Sequence, residues 1–332
     1  MTHGTIGGRL KADLIWASGW AGLSSARGWG PSALIGFDRV RPVRRDPFQP
    51  RRHLDITPLR LERLIRALKR WRVDIVSIDE ACARLVDDPS RRFVSLSFNG
   101  SYRDIVTSAH PVLARHRVPF TVYVPSAFPD RIAEPWWLAL EIMIRQHTRI
   151  NLVIDRKQTF FGAESAATKY QLYERLYGWM RSLPPAELAA AINDLCGRYG
   201  VALVAPARDD AISWDDIALL AADPLVTIGS MTVNHPELAN LPDDAARRDI
   251  AVGRAVLESA LQRPVRHFAF PFGDATSFGR RHVEMARAAG FTSAVTTTPA
   301  AIGRAHDVLC LPRLIWNDAM PLRDLRVRLA GY

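Results

Sequence analysis

Phe93-Val-Ser-Leu-Ser-Phe-Asn-Gly-Ser-Tyr-Arg-Asp104 is the stretch that decides the fold. Phe93, Val94, Leu96 and Phe98 make a short apolar, β-prone run, and Asn99-Gly100-Ser101 supplies the turn chemistry that ends it. Asp104 opens a helical pattern with Ile105, Val106, Ala109, Val112 and Leu113 on roughly one face, interrupted by Pro111. A helix N-cap is the role expected of Asp104. Strand, tight loop and helix form the unit of α/β enzymes, which hold their chemistry at the carboxyl ends of parallel strands.

The same alternation extends outward in both directions. Ala33 to Phe37 reads as a first core strand ending at Asp38-Arg39-Val40, followed by a Pro- and Arg-rich surface loop from Arg41 to Asp55. Thr57 caps a helix that has Pro58 at its first position and Leu59, Leu61, Leu64, Ile65 and Leu68 in its buried stripe. A strand over Val73–Ile78, a helix over Asp79–Leu85 and a strand over Phe120–Val124 continue the pattern, which predicts a parallel sheet or barrel.

Between 130 and 213 the pattern changes. Trp136-Trp137 leads an apolar helix, a small strand is expected at Ile150–Ile154, and helices follow at about 165–182 and 185–199. Strands return at Val226–Gly229, Val265–Phe270, Thr292–Thr297 and Leu309–Ile315. Helices are expected at Asp243–Leu261 and Arg280–Ala289, with Gly290 as the C′ residue of the latter. The expected organisation is a basic, amphipathic lead (1–32), a first barrel part (33–129), a helical insertion (130–213), and a second barrel part with a C-terminal helix (214–332).

A chain of 332 residues can bury a sizeable core, and its 48% hydrophobic and 23% charged content are ordinary for a globular protein. The net charge of +10 comes from clustered arginines, yet no nucleic-acid motif accompanies it, so no specific nucleic-acid partner is expected. Cys82, Cys196 and Cys310 are far apart and form no Cys-x-x-Cys, as expected of free thiols in a reducing compartment. Leu14 to Leu23 is a poor secretory signal and too short to span a bilayer, so cytoplasmic residence is the expectation. Peripheral membrane contact through an N-terminal amphipathic helix is the alternative.

Three further stretches join the opening one. They are Gly229-Ser-Met-Thr-Val-Asn-His-Pro236, His267-Phe-Ala-Phe-Pro-Phe-Gly273 and Leu311-Pro-Arg313, and Gly36-Phe-Asp-Arg-Val40 precedes them all. In this order, over about residues 33 to 315, they resemble the motifs of the NodB-homology polysaccharide deacetylases. The resemblance implies a distorted (β/α) barrel of about seven strands. It also implies hydrolysis of acetamido groups on amino sugars by a carboxylate base and a zinc or other divalent ion. It places the general base at Asn99 and the metal ligands at Gly100, Met231 and His235. In this chain an amide stands for the base, glycine and a thioether stand for two ligands, and only His235 can ligate.

No metal cofactor is therefore expected, since losing an anionic and an imidazole ligand removes most of the binding free energy of a zinc site, on the order of 10 kcal/mol. The expected function is binding of a carbohydrate (an amino sugar or anionic glycan) or a protein partner by a non-catalytic deacetylase homologue. Asp38, Arg39, Tyr102, Phe270, Phe272 and Arg313 are the candidate ligand-binding residues. One alternative is an active amide hydrolase with a site rebuilt from Asp38 and His235. Another is a basic scaffold at anionic glycolipid or membrane assemblies.

Overall fold

The computed structural model describes residues 32–87, 93–154, 157–300, 302 and 306–329. The expected N-terminal lead lies, apart from Ser32, outside the described residues. In chain order the elements begin with β1 (Ala33–Phe37), β2 (Arg39–Val40), β3 (Asp55–Ile56), α1 (Pro58–Arg70), β4 (Asp74–Val76), α2 (Ile78–Asp87), β5 (Phe93–Asn99), α3 (His110–Arg115) and β6 (Phe120–Val124). Next come α4 (Trp136–Gln146), β7 (Arg149–Ile154), β8 (Lys157–Gly162), α5 (Ala166–Ser182), α6 (Pro185–Tyr199), α7 (Ala205–Asp210) and α8 (Trp214–Ala222). The chain ends with β9 (Val226–Ser230), α9 (Asp243–Leu261), β10 (His267–Ala269), α10 (Arg280–Ala288), β11 (Ser293–Val295), β12 (Arg313–Ile315) and α11 (Leu322–Leu329).

Seven strands run parallel in the order β11-β10-β9-β6-β5-β1-β12, with β4 alongside the start of β5. A parallel bridge from Val295 to Leu311, just ahead of β12, brings the two edges together, so the barrel is nearly closed. The period-2 alternation of each strand sorts its side chains. Val94, Leu96 and Phe98 of β5 pack outward with Ile35, Phe37, Val122 and Phe268 against the helices. Leu34, Phe93, Tyr123, Met231, Ala269 and Val295 fill the bore. A further apolar cluster joins α4, α5 and α6 through Trp137, Leu140, Leu172, Tyr173, Leu176 and Leu195, and Phe48 from the long β2–β3 connection plugs into it.

Several local expectations change in the structure. Leu59, expected in the buried stripe of α1, stands 57% exposed at the first turn, and the stripe is Leu61, Leu64, Ile65 and Leu68. The 41–55 segment carries the β2–β3 pairing and buries Phe48 and Gln49, so it is a built element rather than a surface loop. The strand near Ile150 has an antiparallel partner, β8. Asp104 makes no side-chain cap. Its carboxylate is drawn instead to Arg39, whose Nε donates to Oδ2 at 2.5 Å. The turn that follows is a wide π-type turn at Ile105–Ala109, where the missing Pro111 N–H removes one ordinary helical bond. Helix α8 is legible in retrospect from the reciprocal box in which Ser213 Oγ accepts from Asp216 N and Asp216 Oδ2 accepts from Ser213 N.

Thr57 does cap α1, its Oγ1 accepting from Arg60 N at 3.3 Å while its own N–H reaches Asp318 Oδ1 at 2.9 Å. Thr57→Ala is therefore expected to cost about 1 kcal/mol, read as a small fall in thermal midpoint that Thr57→Ser largely restores.

Candidate functional site

Asn99 ends β5 at the carboxyl mouth of the barrel, and both ends of its amide are taken. Its Nδ2 donates to Asp38 Oδ1 at 3.0 Å, and its Oδ1 accepts from Arg313 Nη2 at 3.1 Å. Arg313 has no exposed surface; its other bonds run from Nη1 to Ser97 Oγ (3.2 Å) and from Nε to the Thr296 carbonyl (3.1 Å). Burial lowers the Arg313 pKa to about 10, against the opposing pull of Tyr123 and Asp38. A neutral amide fits between a carboxylate and a guanidinium because it offers a donor to one and an acceptor to the other. The second Asp38 oxygen faces Arg51 Nη2 at 3.5 Å. Asp38 thus belongs to a closed polar chain rather than standing free as a ligand.

Gly100 follows Asn99 with its N–H on the Tyr123 carbonyl at 2.6 Å. A Cβ at this position would lie 2.6 Å from that same oxygen and 2.9 Å from Val122 Cγ1. There is no room for a carboxylate here while β5 and β6 lie this close. Met231 is 1% exposed and packs in the bore with Tyr123, Ala269 and Val295, so its sulfur belongs to the core.

His235 sits beyond β9 in a loop of unusual backbone. Thr232 (φ 65°), His235 (φ 56°) and, from the loop after β10, Phe272 (φ 57°) are all left-handed, a conformation that non-glycine residues hold only when their surroundings fix it. The fixing bonds are His235 N to Thr232 Oγ1 (3.2 Å), Ser126 N to the Thr232 carbonyl (3.2 Å) and Val233 N to Asp249 Oδ2 (3.2 Å). The imidazole lies between Trp137 and Phe272, with ring centroids 5.3 and 4.8 Å away. Its buried Nδ1 has no hydrogen-bond partner. Burial between these rings lowers its pKa to about 4, so the ring is neutral at physiological pH.

These groups surround one cleft of about 330 Å³, lined by Asp38, Asn99, Tyr102, Trp137, His235 and Phe272 together with residues that sequence reasoning missed: Arg51, Tyr177, Arg181 and Asp274. Arg181 reaches in from α5, bonds Asp274 Oδ2 at 2.8 Å, pairs with Glu237 and lies 4.6 Å over the Phe272 ring. Arg51 comes from the 41–55 segment. No local pattern marks either arginine, because only packing of distant segments brings them to the mouth.

Not every candidate reaches the cleft. Phe270 follows the inward Ala269 and so points outward, stacked on Phe278 at 4.2 Å and 1% exposed. Arg313 lies beneath the cleft floor. Arg39 turns aside, with its guanidinium 3.8 Å over the Tyr102 ring and Nη2 on Asp210 Oδ2 at 3.0 Å.

The polysaccharide deacetylase family matches residues 155–294. Among solved structures, the Streptococcus pyogenes deacetylase PplD in complex with acetate is similar over 90% of this chain and 98% of its own, at 13% identity and a TM-score of 0.60. IcaB from Ammonifex degensii is similar over 92% and 97%, at 17% identity and a TM-score of 0.56. The de-N-acetylase from Aggregatibacter actinomycetemcomitans is similar over 90% and 99%, at 13% identity and a TM-score of 0.53. No curated protein matches the chain. The family match spans less than half of the chain. The fold of the chain is the NodB-type barrel of these structures.

The residues at the positions that the NodB motifs assign to a divalent ion do not fit one. Gly100 offers no side chain and no space for one, Met231 is packed in the bore, and the Asp38 oxygens face Asn99 and Arg51. Among the described residues no three His, Cys, Asp or Glu side chains converge as a metal site would require. Among the described residues, no helix is long and apolar enough to cross a membrane.

Proposed function

We propose that this deacetylase-type barrel binds a saccharide at its mouth without hydrolysing it. The observation that carries the reading is the Asp38–Asn99–Arg313 chain of hydrogen bonds at the base position, next to a Gly100 that has no room for a ligand. An amide so held takes up no proton near neutral pH, and Gly100 beside it offers no side chain to hold a metal ion. What the mouth retains suits recognition. Trp137, Tyr102, Tyr177 and Phe272 offer aromatic surfaces to the CH faces of a sugar, while Arg51, Arg181 and Asp274 offer hydrogen bonds to its hydroxyls. The fit of such a cleft to an amino sugar follows from the family.

The test measures binding and metal content together. Calorimetry with chito-oligosaccharide is expected to give binding that Phe272→Ala weakens by roughly tenfold, the effect of losing one aromatic platform. Elemental analysis of the protein incubated with zinc is expected to show well under one equivalent, unchanged in His235→Ala. One tightly held ion that disappears in His235→Ala, together with release of acetate from the oligosaccharide, would replace this reading with a hydrolase whose site is rebuilt around Asp38 and His235.

A further inference from the structure

Beside the mouth, and sharing Arg51 and Tyr102 with it, lies a second cavity of about 250 Å³. Five arginines line it, Arg39, Arg41, Arg44, Arg51 and Arg145, together with the carboxylates Glu141 and Asp210. Four of them are neutralised. Arg39 pairs with Asp104 and Asp210, Arg41 with Asp55 at 2.8 Å, Arg51 with Asp38 at 3.5 Å, and Arg145 with Asp46 at 2.8 Å and with Glu141. Arg44 has no ion pair among the described residues, and its Nε is buried without a hydrogen-bond partner. Burial and the neighbouring Arg41, with a smaller part from Arg145, push its pKa down against the opposing pull of Glu141 and Asp55.

A half-buried guanidinium held beside two others, with an orphan donor and an adjoining void, is an incomplete arrangement. Each buried donor left unsatisfied costs free energy, and the planar fork of an arginine is suited to oxyanions. Among the described residues no carboxylate forms an ion pair with Arg44, and Glu141 and Asp55 act on it only from a distance. The void is large enough for an anionic group of the ligand to do so.

We propose that the cavity around Arg44 is a subsite for an anionic substituent (phosphoryl, sulfate or carboxylate) borne by the saccharide that occupies the barrel mouth. This rests on the reading of the mouth as a saccharide cleft, and it narrows the ligand from a neutral amino sugar to a charged one. Arg51 and Tyr102 line both spaces, so one ligand spans the two by passing between them. The acidic partners of the other four arginines hold those side chains in place and leave Arg44 as the cation to be satisfied.

The experiment titrates the full chain at low ionic strength, where surface screening is weak, with inorganic phosphate, N-acetylglucosamine and N-acetylglucosamine 6-phosphate. Wild-type protein and Arg44→Gln are compared by calorimetry and thermal shift. Phosphate is expected to bind and stabilise the wild type. The sugar phosphate is expected to bind at least tenfold more tightly than the neutral sugar. Arg44→Gln is expected to abolish this advantage and the phosphate effect while leaving affinity for the neutral sugar unchanged. Because Arg44 has no ion pair to lose, the variant is expected to melt in anion-free buffer no lower than the wild type.

Phosphate binding that survives Arg44→Gln, or no phosphate binding by the wild type, overturns the subsite whatever the neutral sugar does. Arg44-dependent phosphate binding with no affinity for the neutral sugar, and none for the sugar phosphate beyond that for phosphate, overturns the saccharide-borne assignment. Should Arg44→Gln fold poorly, Arg44→Lys keeps the charge but not the fork, and is expected to weaken phosphate binding several-fold. Unchanged affinity in Arg44→Lys would then count against the proposal.

Discussion

Gly100→Asp is expected to destabilise the protein by about 3 kcal/mol, the upper range for overpacking a close-fitted site, and to lower the thermal midpoint by roughly 6 °C. The new Cβ would meet the Tyr123 carbonyl oxygen at 2.6 Å and its carbon at 2.9 Å, and backbone atoms of a central strand cannot swing aside as a long side chain does. The β5–β6 register would have to open, at the expense of the Gly100 N–H bond to Tyr123 and of the pairs Phe98–Val122 and Asn99–Tyr123. Asn99→Asp, equal in size, meets no steric obstacle, but it replaces the donor that lies 3.0 Å from Asp38 Oδ1 by a second acceptor.

A triple variant carrying Asn99→Asp, Gly100→Asp and Met231→His, which introduces the residues of the NodB motifs that these stretches resemble, is therefore expected to be less stable and to bind no zinc. Denaturant unfolding and zinc calorimetry on these variants decide the matter. A Gly100→Asp protein that melts with the wild type, or a triple variant that takes up one zinc, would show that the barrel still accommodates the ligand and that only side chains were lost.

Lowering the pH from 6.5 towards 4 is expected to remove up to about 3 kcal/mol of stability through His235 alone, each unit of pKa difference being worth about 1.4 kcal/mol. The sign follows from the direction of the shift. Burial between Trp137 and Phe272 holds the folded-state pKa at about 4, below the ordinary 6.5, so the unfolded chain takes up its proton first as the pH falls. Above 6.5 the imidazole is neutral in both states and its contribution to stability is fully present. It is lost progressively between 6.5 and 4, and below 4 it changes no further. His282 is also lowered by burial and acts in the same direction. His235→Leu should flatten the largest part of the slope in a series of denaturant titrations from pH 4 to 7. A slope unchanged in His235→Leu would show that the ring is solvated and not held between the two aromatics.

Much of the barrel was legible in the chain because its strands and helices are written in local patterns. The Phe93–Phe98 run, the Thr57-Pro58 helix start and the Asp243–Leu261 helix each depend on neighbours within a few residues, and each stands in the structure close to where its pattern put it. The inward or outward facing of Phe270 was also present in principle. Its neighbour Ala269 lines the bore, and strand alternation sends Phe270 the other way. Taking the two phenylalanines of the Phe270-Pro-Phe272 stretch as equivalent overlooked that parity.

The 41–55 segment was less legible. Its Pro- and Arg-rich composition has no periodicity, and the burial of Phe48 and Gln49 depends on helices α4 and α5, which lie more than eighty residues further along the chain.

By itself the sequence determined the alternation of elements and the chemistry present at three positions, an amide at Asn99, no side chain at Gly100 and a thioether at Met231, since these are matters of residue identity and local propensity. Tertiary structure alone decided the rest. It set Asn99 between Asp38 and Arg313, closed the space over Gly100 to less than a side chain, buried Met231 in the bore, and took Arg39 from the mouth to Asp104 and Asp210. It also left the Arg44 Nε without a hydrogen-bond partner among the described residues. The physical reason is that hydrogen bonding, burial and charge pairing depend on distances between residues far apart in the chain, and no local pattern encodes those distances.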